Sequence, residues 1–278
     1  MSVLMNAMAE QGAQEHASEG QDAATIFLQL FQHVQAHEIF TLDMGSVAIK
    51  ITNHTVLQFI VIGIALMIFY YVARMGQKFD RPRGAFMNAF ESVVMYVRDE
   101  MVGKFLSREH ADKLMPLFLT FFIFILFCNL LGLVPIPGVS GTATANVNVT
   151  LALATITLAV MIGGGMAAMG PGKFWTSLVP HGIPKFVVPL MFVIEVVGLF
   201  IKAFALTMRL FANMVAGHLV ILSFFGLAIL FSSWFVAVPA ILMAVFITLL
   251  EVLVAFIQAY VFTFLSILFI SMCINPEH

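Results

Sequence analysis

After Pro189 the chain contains no proline until past Leu230, and it contains none again from Ala240 to Ile274; nearly every residue in both runs is apolar. Each reads as one helix of about 35–40 residues, or roughly 50–60 Å at 1.5 Å per residue. The hydrocarbon core of a bilayer is only about 30 Å thick. Neither helix can stand upright and stay in lipid, so both must tilt steeply or bend. "FSSWFVAVP" is the expected turn between them. Three shorter apolar runs precede the pair: Val56–Ala73, Leu114–Val134 (ended by "PIPG") and Val147–Met169 (ended by "GPGK"). The chain is 61% hydrophobic and 10% charged, against about 25% charged in soluble domains. The expected fold class is therefore an all-α integral membrane protein with about five crossing helices, the last two long and strongly tilted. A polar tail is expected over 1–50 and a single membrane domain over 51–278. Its spans are expected at 55–74, 114–134 and 147–169, with a long helical hairpin at 186–275.

Charge distribution orients the chain. Eight of the thirteen Lys and Arg residues fall between Arg74 and Lys113, and basic loops of this kind stay on the cytoplasmic side. The N-terminus and "PIPGVSGTATAN" are then outside, while Lys173, Lys185 and the C-terminus are inside. Within the basic loop, "RGAFMNAFESVVMYVRDEMVGKFL" (83–106) is amphipathic and suits an interfacial helix. The first 49 residues carry six carboxylates and no Lys or Arg, so the basic region that opens a cleavable signal peptide is missing. "TIFLQLFQHV" has the spacing of a short surface helix, and His16, His33 and His37 read as solvated. Cys128 and Cys273 lie in apolar runs without ligand spacing and read as packed thiols. No metal or cofactor is expected.

The charges inside the two long runs are few and regular. Between Lys202 and Glu251 the one permanent charge is Arg209. Burying a guanidinium mid-helix in lipid costs about 2.5–3.5 kcal/mol on insertion scales, so something must compensate for it. Glu195, Lys202 and Arg209 are spaced by seven and seven, with Asn213 one turn on, and all share one face. Glu251 and Gln258 are seven apart on the final helix. With the turn centred on Ser232–Ser233, equal helical rise sets Arg209 opposite about residue 256 and His218 opposite about residue 247. That suggests two sites, one joining Arg209 to Gln258 and one joining His218 to Glu251. A histidine beside a buried glutamate can pass protons. Arginine cannot release its proton, but it attracts a carboxylate and favours its ionised form.

"LTMRLFANMVAGH", with "FIQAYVFTFLSILFISM" downstream and "NVNVTLALA" upstream, resembles subunit a of the F-type ATP synthases. The resemblance runs from about His37 to the C-terminus. It implies that the two long helices lie nearly flat against a rotating ring of c subunits. Two aqueous half-channels would reach that ring, separated by Arg209. Asn213, Gln258, Glu195 and Lys202 fall on polar positions of the family, and His218 with Glu251 matches its exchangeable acid–histidine pair. Further partners implied are the b subunits of the peripheral stalk, the catalytic sector indirectly, and membrane lipid, with no nucleic acid. The implied location is a bacterial inner membrane. Asn146 stands where relatives can carry an acid, which argues against a proton relay there. Ala203 stands where some members have proline, which bears on local helix shape.

Other classes fit less well. A secondary ion-coupled transporter, the main alternative, would usually show inverted repeats with broken helices, and no such repeat is visible. The sequence lacks HExxH and GxxxxGK[ST], so neither intramembrane metalloproteolysis nor nucleotide hydrolysis is expected of this chain itself. Lys202 could line a channel or snorkel, and "GGGMAAMG" suits close helix contact through Gly163, Gly164, Ala167 and Ala168.

Overall fold

A computed structural model describes residues 38–44, 47–78, 84–134, 142–179, 184, 186–231 and 233–275. The expected surface helix "TIFLQLFQHV" and His16, His33 and His37 lie outside the described residues. Among the described residues five helices are long and apolar enough to cross a membrane. These are α1 (Asn53–Lys78), α3 (Arg108–Leu133), α4 (Val147–Met169), α6 (Val188–Phe231) and α7 (Trp234–Ile274). Between α1 and α3 comes α2 (Ala85–Met95), and between α4 and α6 the short α5 (Pro171–Ser177).

An antiparallel hairpin precedes the helical body. Strand β1 (Glu38–Met44) pairs with β2 (Val47–Thr52), with Met44 opposite Val47. The sequence carries the signal for it: Val47, Ile49 and Ile51 alternate with Ala48, Lys50 and Thr52, and Gly-Ser separates the strands.

The two long helices measure 44 and 41 residues, or roughly 60–65 Å each. The connection between them is shorter than "FSSWFVAVP". α7 begins at Trp234 and carries Pro239 inside it, where the missing N–H leaves the Phe235 carbonyl without its helical donor. The helices pack antiparallel along their length, and α4 packs against both. α3 also packs on α7, and α1 lies against α3. Three buried clusters hold this arrangement. One gathers Val97, Met101 and Val102 with Phe118, Met161, Phe174, Leu199, Ile267 and Ile270. The second joins Phe121, Ile125, Leu206, Leu210 and Phe262. The third seats Leu57 and Val61 of α1 against Cys128 and Ala143. Both cysteines are buried free thiols.

The amphipathic segment 83–106 is not one uniform helix. α2 passes at Tyr96 into a π-helical stretch, Tyr96–Val102, that buries Val97, Met101 and Val102. The widened turn lets these three reach the core while Arg98, Glu100 and Lys104 stay outside. Arg98 pairs with Asp112 at 3.8 Å, and Lys104 Nζ donates to Glu100 at 2.5 Å. That bond and the Glu100 charge hold the Lys104 pKa above its ordinary value. Ser271 Oγ at the end of α7 donates to Phe105 O at 2.6 Å, tying the interfacial element to the hairpin.

The glycine-rich run at the end of α4 makes close contacts, through a different residue from those the four-residue spacing suggests. Gly163 has open space around it and Gly164 only ordinary contact with Ile274. It is Gly165 that is pressed between the Phe174 ring and the Cys273 carbonyl, which would lie 2.8 Å from an added Cβ. Ala203, the non-proline position, sits in an unbroken stretch of α6, its carbonyl accepting from Thr207 Oγ1 at 3.0 Å.

Candidate functional site

The polar side chains of α6 and α7 separate into three places along the hairpin. Nearest the basic loop, Glu195 and Lys202 line a cavity of about 440 Å³ with Phe174, Ser271, Cys273 and Asn275. The Lys202 ammonium also stands 5.7 Å from the Phe269 ring centroid, a cation–π contact.

Toward the other end, His218 Nδ1 lies 3.6 Å from Glu251 Oε1, with both side chains about nine-tenths buried. Neither Glu251 oxygen nor His218 Nδ1 has a hydrogen-bond partner among the described residues. A buried carboxylate in that condition is costly.

Arg209 lies between the two. It is seven residues from Lys202 and nine from His218, or about 10 and 13 Å along α6. Its side chain is exposed and forms no hydrogen bond or ion pair among the described residues. Met208, next to it in the chain, is 37% exposed, and elsewhere on the two helices Phe204, Leu249 and Leu253 are uncovered too, at 58%, 66% and 55%. A permanent charge on a membrane helix with no partner among the described residues is costly until something compensates for it.

The expected pairing of Arg209 with Gln258 is not observed. Gln258 is 5% exposed and its Nε2 has no partner, whereas Arg209 points outward. The contacts of Lys202 with Phe269 and His218 with Glu251 set a register in which Arg209 faces roughly residue 261. Trp234 and Phe235 are 80% and 88% exposed, so the first turn of α7 projects past α6. This displaces the register by about five residues from the estimate based on equal rise. Asn213 is half-buried one turn beyond Arg209.

Residues outside the sequence pattern join the polar interior. Thr144 Oγ1 donates to Asn129 Oδ1 at 2.7 Å, both fully buried. Thr157 and Ser266 approach to 3.3 Å between α4 and α7. Asn146 Oδ1 accepts from Asn148 N at 2.9 Å, so it caps α4. Asn146 and Asn148 also line a second cavity of about 560 Å³ with Thr52, Thr55, Gln58 and Phe124. This one opens at the start of α4, whereas the Glu195 cavity lies beyond its end. Single hydroxyls and amides in apolar helices have no distinctive spacing, so the sequence does not single them out.

Comparison with known proteins gives one answer. The family model described as ATP synthase A chain matches residues 55–271. The chain is 41% identical over 239 residues to ATP synthase subunit a of Chloroherpeton thalassium, covering 85% of this chain and 70% of that one. It is 41% identical over 241 residues to the Myxococcus xanthus subunit a, covering 87% and 78%. A third match, to subunit a of an Anaeromyxobacter species, is 41% identical over 233 residues and takes in 83% of this chain but 56% of that longer relative. The match takes in α3, α4 and nearly all of the α6–α7 hairpin, and the chain belongs to the ATP synthase A chain family.

Proposed function

We propose that this chain is the proton-translocating stator subunit of a rotary ATP synthase, and that Arg209 is its essential charge. The observation that carries this is the exposed guanidinium, which has no partner among the described residues. A membrane cation needs a counter-charge, and none of the described residues supplies one. A ring of c subunits moving past that face would present membrane-embedded carboxylates one at a time. Each would lose its proton on meeting Arg209, since a nearby cation stabilises the ionised form.

The two cavities supply the rest. The one lined by Glu195 and Lys202 lies on the side of the basic loop, which the charge rule makes cytoplasmic. The His218–Glu251 pair serves the route from the opposite side, where the second cavity opens. Arg209 lies between these routes, so a proton crosses by riding the ring and not by passing straight through. Asn213, one turn beyond Arg209, orients the guanidinium when a carboxylate docks. The chain has no catalytic role of its own; ATP chemistry belongs to the catalytic sector, with the peripheral stalk holding this subunit still. A bacterial inner membrane, with the N-terminus outside, fits the charge distribution. For both long helices to stay in about 30 Å of hydrocarbon, they lie far from the membrane normal.

The test is association. Met208, 37% exposed beside Arg209, replaced by cysteine should cross-link to a cysteine on the carboxylate-bearing helix of a co-purifying c-type ring. A chain that purifies without a ring and gives no such cross-link would remove the basis of this reading.

A further inference from the structure

The structure assigns Gly217 as the positioning residue that seats the Glu251 carboxylate beside His218. Glycine is the weakest helix former after proline, yet it stands inside α6, immediately before His218. Its backbone is ordinary helix, so no left-handed conformation calls for it. What calls for it is proximity. A Cβ on Gly217 would fall on Glu251 Oε1 itself, 2.7 Å from Cδ and 3.1 Å from Cγ. The carboxylate therefore rests on the bare Cα of α6, in the space any other residue would fill.

This contact fixes the acid's location where hydrogen bonds do not. Both Glu251 oxygens lack hydrogen-bond partners, and the approach to His218 Nδ1 is 3.6 Å, beyond direct hydrogen-bond length. The carboxylate is thus placed by shape: Gly217 gives it room, and His218 is the titratable group it faces. A gap of this length is closed by a small movement of either side chain, so displacing the acid would widen it and break the transfer. The atom that an added methyl displaces is the end of a flexible side chain and not backbone. Alanine at 217 should therefore spare the fold and move the acid.

The inference rests on the reading of Glu251 as a proton carrier, and the experiment separates the two. Whole ATP synthase complexes carrying each variant are assayed in inverted vesicles for ATP-driven proton uptake, normalised to the amount of this chain assembled. Gly217→Ala should assemble normally and lower uptake about tenfold or more, since misplacing a reacting group by an ångström has effects of that size. Gly163→Ala, where an added Cβ meets nothing within 4 Å, should match the unaltered complex. Shortening the acid in the same background, Gly217→Ala with Glu251→Asp, should withdraw it from the new methyl and recover part of the uptake lost by Gly217→Ala. Unchanged uptake in Gly217→Ala, with Glu251→Gln impaired, would overturn the seating role and leave the proton carrier intact. A Gly217→Ala loss that Glu251→Asp does not relieve would likewise overturn it, since a merely structural glycine would behave that way. Normal uptake in Glu251→Gln would overturn the carrier reading, and the seating role with it.

Discussion

His218 Nδ1 and Glu251 Oε1 face each other at 3.6 Å across the α6–α7 hairpin, and neither atom has another partner among the described residues. On the proposed reading the two side chains act as one proton-handling unit.

Replacing either one with an apolar residue strands its neighbour in a low-dielectric site. His218→Leu and Glu251→Leu should each slow proton uptake by reconstituted vesicles substantially. The exchange His218→Glu with Glu251→His keeps an acid and an imidazole in reach and should restore part of the flux. A double variant whose loss equals the two single losses summed in free energy would mean that the residues act independently.

Gly165 should be intolerant of enlargement for a reason unrelated to protons. Its missing side chain admits Phe174 and the Cys273 backbone, so Gly165→Ala overfills a fixed contact. A loss of about 1–3 kcal/mol follows from overpacking. A lowered melting temperature of the purified chain should reveal it. Gly163→Ala, two residues earlier, should leave the melting temperature unchanged or raise it slightly, since alanine is the better helix former.

The Glu195 carboxylate should matter because it lines a cavity. Glu195→Gln keeps the shape and removes the charge, and should slow proton uptake by roughly a hundredfold, the low end of a lost acid–base contribution. Glu100→Gln breaks the exposed Lys104 pair and should leave uptake unchanged, since such pairs contribute about 0–1 kcal/mol. Equal effects from the two would deny the cavity a role in conduction.

How far the molecule is legible in its sequence varies by element. The long helices follow from apolar runs uninterrupted by proline, and the seven-residue spacing sets Glu195, Lys202 and Arg209 on one face without any coordinates. Helix counting brings His218 within a turn of Glu251. It fails for Arg209 and Gln258, because exposure depends on which neighbours cover a face, and spacing carries no information about neighbours. The π-helical turn at Tyr96–Val102 depends on tertiary packing of Val97, Met101 and Val102. The seat at Gly217 is visible only as a distance between two helices. The β1–β2 hairpin is a different matter: its alternation and its Gly-Ser connection are present in the sequence.

The central claim concerns Arg209, and ATP synthesis by reconstituted vesicles carrying Arg209→Ala and Arg209→Lys tests it most directly. Both complexes should contain normal amounts of this chain, because the guanidinium forms no hydrogen bond or ion pair among the described residues. Neither should make ATP from a proton gradient. Lysine carries a positive charge, but it lacks the planar fork and can release its proton in a dry site. Synthesis at the normal rate from the Arg209→Lys vesicles would contradict the account.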